Sequence, residues 1–546
     1  MTDPKQKGSS VARAAGAMGF ATLLSRMMGL VREQVFAYLF GAGAATDAFQ
    51  VAFRIPNLLR DLFAEGAMSS ALVPVFTQVR QLDGERRSWQ VAGRVFRVLL
   101  VMVGLISVIG IVFSEELVGL YASSFRDTPG KFELTVQMTQ VMFPFFPLVA
   151  LAAAFMAVLN AMGWFFWPAF ASALFNVSSV ATGVLLAWLL PLMAIPGWDS
   201  PILGMAFGVL LGGGVQALCQ LPVLYRAGYR FPIIESNDPP LVSDPALKRM
   251  LVLIAPGLVG LAATQLNVLV NTILATSVTE GAVSWLNYSF RLMQFPIGIF
   301  GVSLASATLP AVSRAWSSGS PALAVQTIER SLKQVFAVNL PASAGLAAAG
   351  VPIIRLLFEQ GQFTRSDTVA TAQALSAYSV GLTAYSAVKV LVPCFYAFGR
   401  TRIAVISSVL SVAMTVVLNL MTVRVLGFWG LALGTSLAAC FNGVFLLKAL
   451  QRVYPGLAVL DLMSSFLRSL WVSTLMGVGV YLLGGVLESS VLNVDLFTHR
   501  LLELLILVGA GIGLTVGFGR LFRVQELEEA REFFQRRILS RVRRRK

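Results

Sequence analysis

Residues 21–40 read ATLLSRMMGLVREQVFAYLF, and residues 46–63 read TDAFQVAFRIPNLLRDLF. Both stretches have the length and apolar character of membrane helices, yet Arg26, Arg32, Arg54 and Arg60 stand inside them. Arg291 stands inside a further apolar stretch. A guanidinium keeps its charge at any workable pH, so each of these side chains needs water, a counter-ion or an anionic ligand. Such placement predicts a charged cavity within a membrane protein, where the arginines either brace helices or hold cargo.

The remainder of the chain fits the same solvent. Of 546 residues, 56% are hydrophobic and only 13% charged, with a mean hydropathy of +0.76. A soluble chain of this size carries about 25% charged residues and divides into several domains. Here apolar runs recur from end to end, and no loop between them could form a soluble domain. Windows of about 20 residues predict fourteen helices, over 12–38, 46–77, 90–118, 133–160, 163–191, 201–226, 246–272, 281–310, 328–350, 370–398, 401–423, 428–450, 463–486 and 499–520. The predicted fold is an all-α polytopic membrane protein of about 14 transmembrane helices in two lobes. Residues 14–25 could pass as a signal-peptide core. The apolar run continues to Phe40 with no clear cleavage signal, so a retained first helix is expected.

Basic residues orient these spans. With the N-terminus in the cytoplasm, thirty of the 42 Lys and Arg fall on cytoplasmic loops, tails and adjacent helix ends. Six fall on the opposite side (Arg126, Lys131, Arg355, Arg365, Arg424 and Arg500), and the five arginines with Lys389 lie within spans. The bias persists without the ten basic residues from Arg520 onward and predicts that both termini are cytoplasmic. The net charge of +15 therefore points to anionic lipid headgroups and not to nucleic acid, since it sits at helix ends and in the tail Arg536–Lys546.

The Pro- and Asp-rich break between Arg226 and Lys248 suggests an N-lobe over 1–226 with six helices and a cytoplasmic linker over 227–247. A C-lobe over 248–450 then holds helices seven to twelve, two extra helices occupy 451–520, and a basic tail covers 521–546. A faint internal echo supports two lobes. Arg54 precedes Pro74 by 20 residues and Arg291 precedes Pro310 by 19, and an acid, Asp47 or Glu280, stands near the outer end of each helix. Parallel repeats of this kind line a cleft with corresponding helices.

On the second helix Asp47, Arg54 and Asp61 are spaced by seven, with Glu65 four residues on, which places them in one polar stripe. These four form a gating or pairing set in which Arg54 is as readily a structural residue as a functional one. Arg60 lies about 120° away around the helix, Glu33 is expected to point away from Arg32, and Arg26 and Arg291 have no acid nearby in sequence. An unpaired arginine at mid-membrane costs at least about 3 kcal/mol. Arg26, Arg32, Arg60 and Arg291 are accordingly read as substrate-binding groups around a wet, electropositive cavity. Guanidinium forks match phosphate oxygens, so a diphosphate is the natural cargo, with a sugar or nucleotide as decoration.

Other chemistries find little support. Gly41-Ala-Gly43 and Gly212-Gly-Gly214 lack the Lys-Ser/Thr of a nucleotide loop. Cys219, Cys394 and Cys440 lie in apolar segments without ligand spacing, and His499 is the one histidine. No metal, catalytic residue or cofactor is expected, and coupling to a monovalent ion or to the membrane potential stays open. Tyr378, Tyr385 and Lys389 share a face ahead of Pro393. Tyr385 and Lys389 are candidates for a coupling site, the plainer reading being a packed tyrosine face.

The same residues carry a family resemblance. Ser25-Arg-Met-Met-Gly-Leu-Val-Arg32, Phe40-Gly-Ala-Gly43, Ala45-Thr-Asp-Ala-Phe49, Phe53-Arg-Ile-Pro-Asn-Leu-Leu-Arg60 and Phe63-Ala-Glu-Gly-Ala67 closely resemble the bacterial MurJ/MviN lipid II flippases, and Arg291-Leu-Met-Gln-Phe-Pro296 resembles their motif on helix eight. The resemblance implies an inverted-V transporter of the multidrug/oligosaccharidyl-lipid/polysaccharide exporter superfamily with a central cationic cavity. It would sit in the bacterial inner membrane and serve cell-wall biogenesis and cell shape. Its cargo would be undecaprenyl-diphosphate-linked disaccharide-pentapeptide, carried outward by alternating access. The family's essential cavity residues fall on Arg26, Arg32, Asp47, Arg60 and Arg291, and Gln294 stands where members often have an acid. Its lipid-tail groove would be formed by helices thirteen and fourteen. Expected partners are lipid II, membrane lipids and cell-wall synthesis proteins.

The nearest rival is a flippase for another polyprenyl-diphosphate-linked oligosaccharide. A drug–cation antiporter would favour an acidic cavity. A glycosyltransferase would need a sizeable outer loop with acidic catalytic residues, and a cell-wall scaffold leaves the arginines unexplained. The chain is therefore read as a transporter and not an enzyme.

Overall fold

The computed structural model describes residues 4–64, 67–230, 244–490 and 496–528. Among these residues all regular structure is helical. The first part comprises α1 Pro4–Phe40, α2 Ala44–Ala64, α3 Ala67–Leu82, α4 Gly84–Val112, α5 Ser114–Ala122, α6 Lys131–Met142, α7 Phe145–Ala161, α8 Phe166–Met193, α9 Pro201–Leu218, α10 Leu221–Arg226 and α11 Pro245–Thr276. The second comprises α12 Ala282–Pro296, α13 Val302–Ser317, α14 Pro321–Ala348, α15 Gly350–Phe358, α16 Arg365–Ser379, α17 Leu382–Ala397, α18 Thr401–Leu426, α19 Phe428–Val453, α20 Val459–Ser490 and α21 Phe497–Leu521. Local chemistry sets several of these starts. Proline occupies the first turn of α9, α11 and α14, where its missing N–H costs nothing, and Thr364 with Asp367 closes a capping box on α16. Gly41, at φ 63°, makes the left-handed turn that ends α1 and lets α2 begin three residues later.

Each of the fourteen predicted windows coincides with a helix or an interrupted helix. Nine helices among the described residues are long and apolar enough to cross a membrane, or up to eleven with the pairs α14–α15 and α16–α17, which bend by 69° and 43°. The expected count of fourteen is thus coarser here: nine to eleven candidates meet the length and composition test. α2 falls short of it because Asp47, Arg54, Arg60 and Asp61 crowd 21 residues.

Contacts divide the chain into two compact units, Met1–Glu280 and Gly281–Lys546. α11 therefore belongs to the first, where it packs on α2, α3 and α5, although the division at residues 227–247 would place it in the second. Its N-cap explains the difference. Asp244 accepts the Ala246 N–H at 3.0 Å and is gripped by Arg94 Nη1 at 2.6 Å and Arg87 Nη2 at 3.0 Å, both from α4. Most of the linker and the basic tail beyond Glu528 lie outside the described residues.

The first unit is built on aromatic layers: Phe76, Trp89, Phe96, Phe155 and Tyr229 at one level, Phe36, Phe49, Phe145 and Phe175 at another. α8 and α9 approach most closely. Gly204, Gly208 and Gly212 lie one turn apart on α9, and a Cβ at Gly204 or Gly208 would collide with the α8 backbone at Ala187 or Ser179. Small residues at this spacing let membrane helices gain dispersion contacts that lipid cannot supply. In the second unit α20 packs along α14, and α21 packs on α20 and α15, so the last two helices are integral to that unit.

Candidate functional site

The arginine-bearing helices α1 and α2 are consecutive and joined by the tight turn at Gly41. Arg32, on α1, donates from Nη2 to Glu33 Oε1 at 3.0 Å, and its guanidinium lies over the rings of Phe53 and Phe175 at 6.0 and 5.8 Å. The expectation that Glu33 points away is corrected: its side chain is buried, and water is unavailable to compete for it. Long side chains on adjacent residues can fold back to meet even though their Cβ atoms diverge. Arg26, one and a half turns earlier, is exposed. Its segment is fixed by Asn176 Nδ2, which donates to the Ser25 carbonyl at 3.2 Å and to the Ser172 carbonyl at 3.2 Å.

α2 carries the other charges. Asp47, in its first turn, is buried, and its Oδ2 accepts from Lys131 Nζ on α6 at 3.3 Å. Lys131 also lies 4.1 Å above the Phe125 ring. Glu280 Oε1 accepts the Ala44 N–H at 2.9 Å, which supplies a carboxylate to the positive end of α2. Asp47, Arg54 and Asp61 share a polar stripe, with residues seven apart separated by about 10 Å along the axis. Asp61 meets Asn57 Nδ2 at 3.3 Å and Arg60 Nε at 3.6 Å, while Arg60 Nη1 donates to Asn57 Oδ1 at 3.0 Å. Arg60 therefore has a carboxylate neighbour, contrary to the sequence reading. Arg54 is half-buried and acts electrostatically on Tyr121 of α5. Glu65 lies outside the described residues.

From residue 21 to 64 and including Lys131, five cations accompany three carboxylates. Three carboxylates are engaged by cations, Glu33 by Arg32, Asp47 by Lys131 and Asp61 by Arg60, and with Glu280 on the Ala44 N–H as a fourth the described group keeps one net positive charge.

In the second unit Arg291 is half-buried on α12, with Gln294 exposed one turn later. α12 is anchored behind it. Trp285 Nε1 donates to Asp367 Oδ1 at 2.9 Å, and Ser289 Oγ donates to the Thr371 carbonyl at 2.7 Å. After Pro296 the backbone widens into a π-helical turn, Ile297–Gly301, before α13 resumes. Gly301 in that turn abuts Ser386, whose hydroxyl bonds to Asn339 Oδ1 at 3.1 Å. Such turns are frequent at functional sites.

Tyr385 and Lys389, the candidate coupling pair, lie four residues apart on α17, while Tyr378 ends α16 before the 43° bend and so stands on a different helix. Tyr385 Oη donates to the Thr435 carbonyl at 3.5 Å, whereas Lys389 is exposed. Among the described residues no group of three or more His, Cys, Asp or Glu could hold a metal ion. Lys131 and Glu280 were missed as partners because each is far in sequence from the residue it serves. The one available signal was that Lys131 is among the few basic residues assigned to the outer side.

The family model for the lipid II flippase MurJ matches residues 36–500. The chain is 35% identical over 442 residues to the probable lipid II flippase MurJ of Vibrio cholerae, covering 79% of this chain and 82% of that one. It is 37% identical over 448 residues to the corresponding Rhizobium meliloti protein, covering 81% of both. Among solved structures, a lipid II flippase MurJ in an inward closed conformation superposes with a TM-score of 0.74 at 24% identity, covering 92% of this chain and 98% of that one. An inward-facing multidrug transporter of the MATE family and MOP superfamily superposes with a TM-score of 0.66 at 16% identity, covering 80% and 98%.

Proposed function

We propose, from the premise that this chain belongs to the MurJ family of lipid II flippases within the MOP superfamily, that it moves the undecaprenyl-diphosphate-linked peptidoglycan precursor from the cytoplasmic to the periplasmic leaflet. It is a multi-pass inner-membrane transporter and not an enzyme. The observation that carries the reading within the molecule is the cation excess on α1, α2 and Lys131, where Glu33, Asp47 and Asp61 each already have a basic neighbour.

A diphosphate cannot cross hydrocarbon unshielded, while a prenyl chain needs no aqueous path and remains in lipid. Arg26, Arg32, Arg60 and Arg291 supply the shielding charge, with Arg54, Asp47 and Asp61 as the pairing set of the helix that carries Arg60. Arginine suits this task because its fork pairs two phosphate oxygens and its charge survives desolvation. We read fourteen crossings with both termini in the cytoplasm, and exposure of the cationic cavity to one side and then the other. With the cytoplasm negative, outward movement of net negative charge is favoured by about 2.3 kcal/mol per elementary charge per 100 mV. The membrane potential therefore favours either outward movement of a net-negative loaded carrier or return of the empty cationic one.

The test is depletion of the native protein while the sidedness of the lipid-linked precursor is measured, with charge-removing variants supplied for rescue. Arg26→Ala, Arg60→Ala and Arg291→Ala are expected to insert and yet fail to export. Export at wild-type rate by these variants would overturn the cargo-binding role. Failure to accumulate would show that they brace the fold.

A further inference from the structure

A cavity of about 930 Å³ opens in the second unit, well away in sequence from the arginine helices. Its walls come from α14, α15, α16, α19, α20 and α21, and small side chains make the space: Ala347, Ala348, Ala372, Ala377, Gly484 and Gly485. Its rim carries exposed apolar residues, with Val380 at 52%, Leu482 at 62% and Val486 at 56% exposure, so it opens toward hydrocarbon. Along α16 its lining runs from Arg365 to Ala377, about 18 Å at 1.5 Å per residue. One leaflet of hydrocarbon is about 15 Å deep, so an extended acyl chain fits this length.

One end is charged. Arg355 is fully buried and donates from Nη2 to Glu488 Oε1 at 2.6 Å, and Arg365 Nη2 donates to the same oxygen at 2.8 Å. Glu503, only 1% exposed, lines the cavity. Neither of its oxygens accepts a hydrogen bond among the described residues, and Arg355 Nη1 stands 3.5 Å from Oε2 without bonding geometry. A buried carboxylate short of donors beside an apolar slot calls for a ligand with N–H groups at one end and hydrocarbon at the other.

We propose that this cavity binds a zwitterionic aminophospholipid from the outer leaflet, its acyl chain in the slot, its primary ammonium on Glu503 and Glu488, and its phosphate on Arg365. The charge count places Arg355, Arg365 and Arg500 on the outer side, at headgroup depth. The six charged side chains here, Arg355, Arg365, Arg500, Glu359, Glu488 and Glu503, sum to zero, which matches a net-neutral headgroup better than an anionic one. An ammonium brings three donors, whereas a choline head brings none. The prenyl chain of the cargo has no group that would satisfy Glu503, although α20 and α21, two of the walls, are the helices expected to form the cargo's lipid-tail groove.

The full chain is to be exchanged into micelles holding equal amounts of phosphatidylethanolamine, phosphatidylcholine and phosphatidylglycerol with identical acyl chains, and retained lipid read by native mass spectrometry. Retention of the ethanolamine lipid about tenfold above the choline lipid is expected, the scale of one charge-assisted hydrogen bond. Glu503→Gln should lose that preference. Gly485→Leu tests the site without touching a charge: a Cβ at Gly485 meets nothing within 4 Å, so the leucine fills the cavity and should displace the lipid. If Glu503→Gln fails to accumulate, Gly485→Leu decides alone. Equal retention of the three lipids, or a preference that survives Gly485→Leu, overturns the proposal. So does displacement of the ethanolamine lipid by undecaprenyl phosphate in the unaltered chain, which would assign the slot to the cargo's tail.

Discussion

Lys131 Nζ lies 3.3 Å from Asp47 Oδ2 with both side chains buried, and this pair ties α6 to the first turn of α2. Asp47 also stands near the positive end of α2. Removing Lys131 alone leaves that carboxylate buried without its cation, a change that costs about 3–5 kcal/mol. Lys131→Met should therefore lower the unfolding midpoint in detergent sharply, and the double change Lys131→Met, Asp47→Asn should recover most of the loss. A single variant that unfolds like the parent chain would show that the pair bears no load.

Arg26 and Arg32 should separate in stability while agreeing in transport. Arg26 is exposed, so Arg26→Ala is expected to stay within about 0.5 kcal/mol of the parent. Arg32 is bonded to buried Glu33 and faces two aromatic rings. Arg32→Ala should cost about 2 kcal/mol or more, through lost cation–π contact and a buried acid deprived of that partner. Both should fail to support precursor export. Equal midpoints for the two variants would contradict the difference in their surroundings.

The helices themselves were legible in the sequence because membrane helices are written as long apolar windows, and each window meets a helix or a broken one. Their interruptions were not. Nothing in the run 370–398 shows that α16 and α17 bend by 43° at Gly381, where a Cβ would strike Ser436 of α19. That bend is a tertiary accommodation, and it puts Tyr378 on a different helix from Tyr385 and Lys389. Charge identity was also legible, but pairing was not. Asp47, Arg54 and Asp61 do share a stripe, yet the rise of a helix keeps them about 10 Å apart, and Asp47 takes its partner from α6. The packing of α11 with the first unit has the same origin, since the Asp244 grip joins residues 150 positions apart in sequence.

Gly208 and Gly214, on one helix, should respond oppositely to alanine. At Gly208 a methyl would strike the Ser179 carbonyl and the Gly183 backbone, so α8 and α9 must move apart. A loss of about 1–3 kcal/mol is expected. At Gly214 nothing lies within 4 Å, and alanine should be neutral or stabilise the helix by up to about 1 kcal/mol. Unfolding midpoints of the two purified variants give the comparison, and a Gly208→Ala protein as stable as Gly214→Ala would refute the close-approach reading of α8 and α9.

Asp244 makes stability depend on acid. Burial of its carboxyl works against ionisation, but the hydrogen bonds from Arg94 and the Ala246 N–H, with the Arg87 and Arg94 charges, outweigh burial and hold it below the usual carboxylate range. A group with a lowered folded value contributes fully above its unfolded value, about 3.9 for Asp, and loses that contribution as pH falls through the folded one. The unfolding midpoint should thus be insensitive to this group from neutral pH down to about 5 and decline below about 4. Asp244→Asn keeps an N-cap acceptor but removes the charge that Arg87 and Arg94 grip. It should be less stable than the parent at neutral pH and show a shallower decline in acid, so the two curves converge as pH falls. Parallel curves across that range would mean that Asp244 is not the titrating group behind the acid loss.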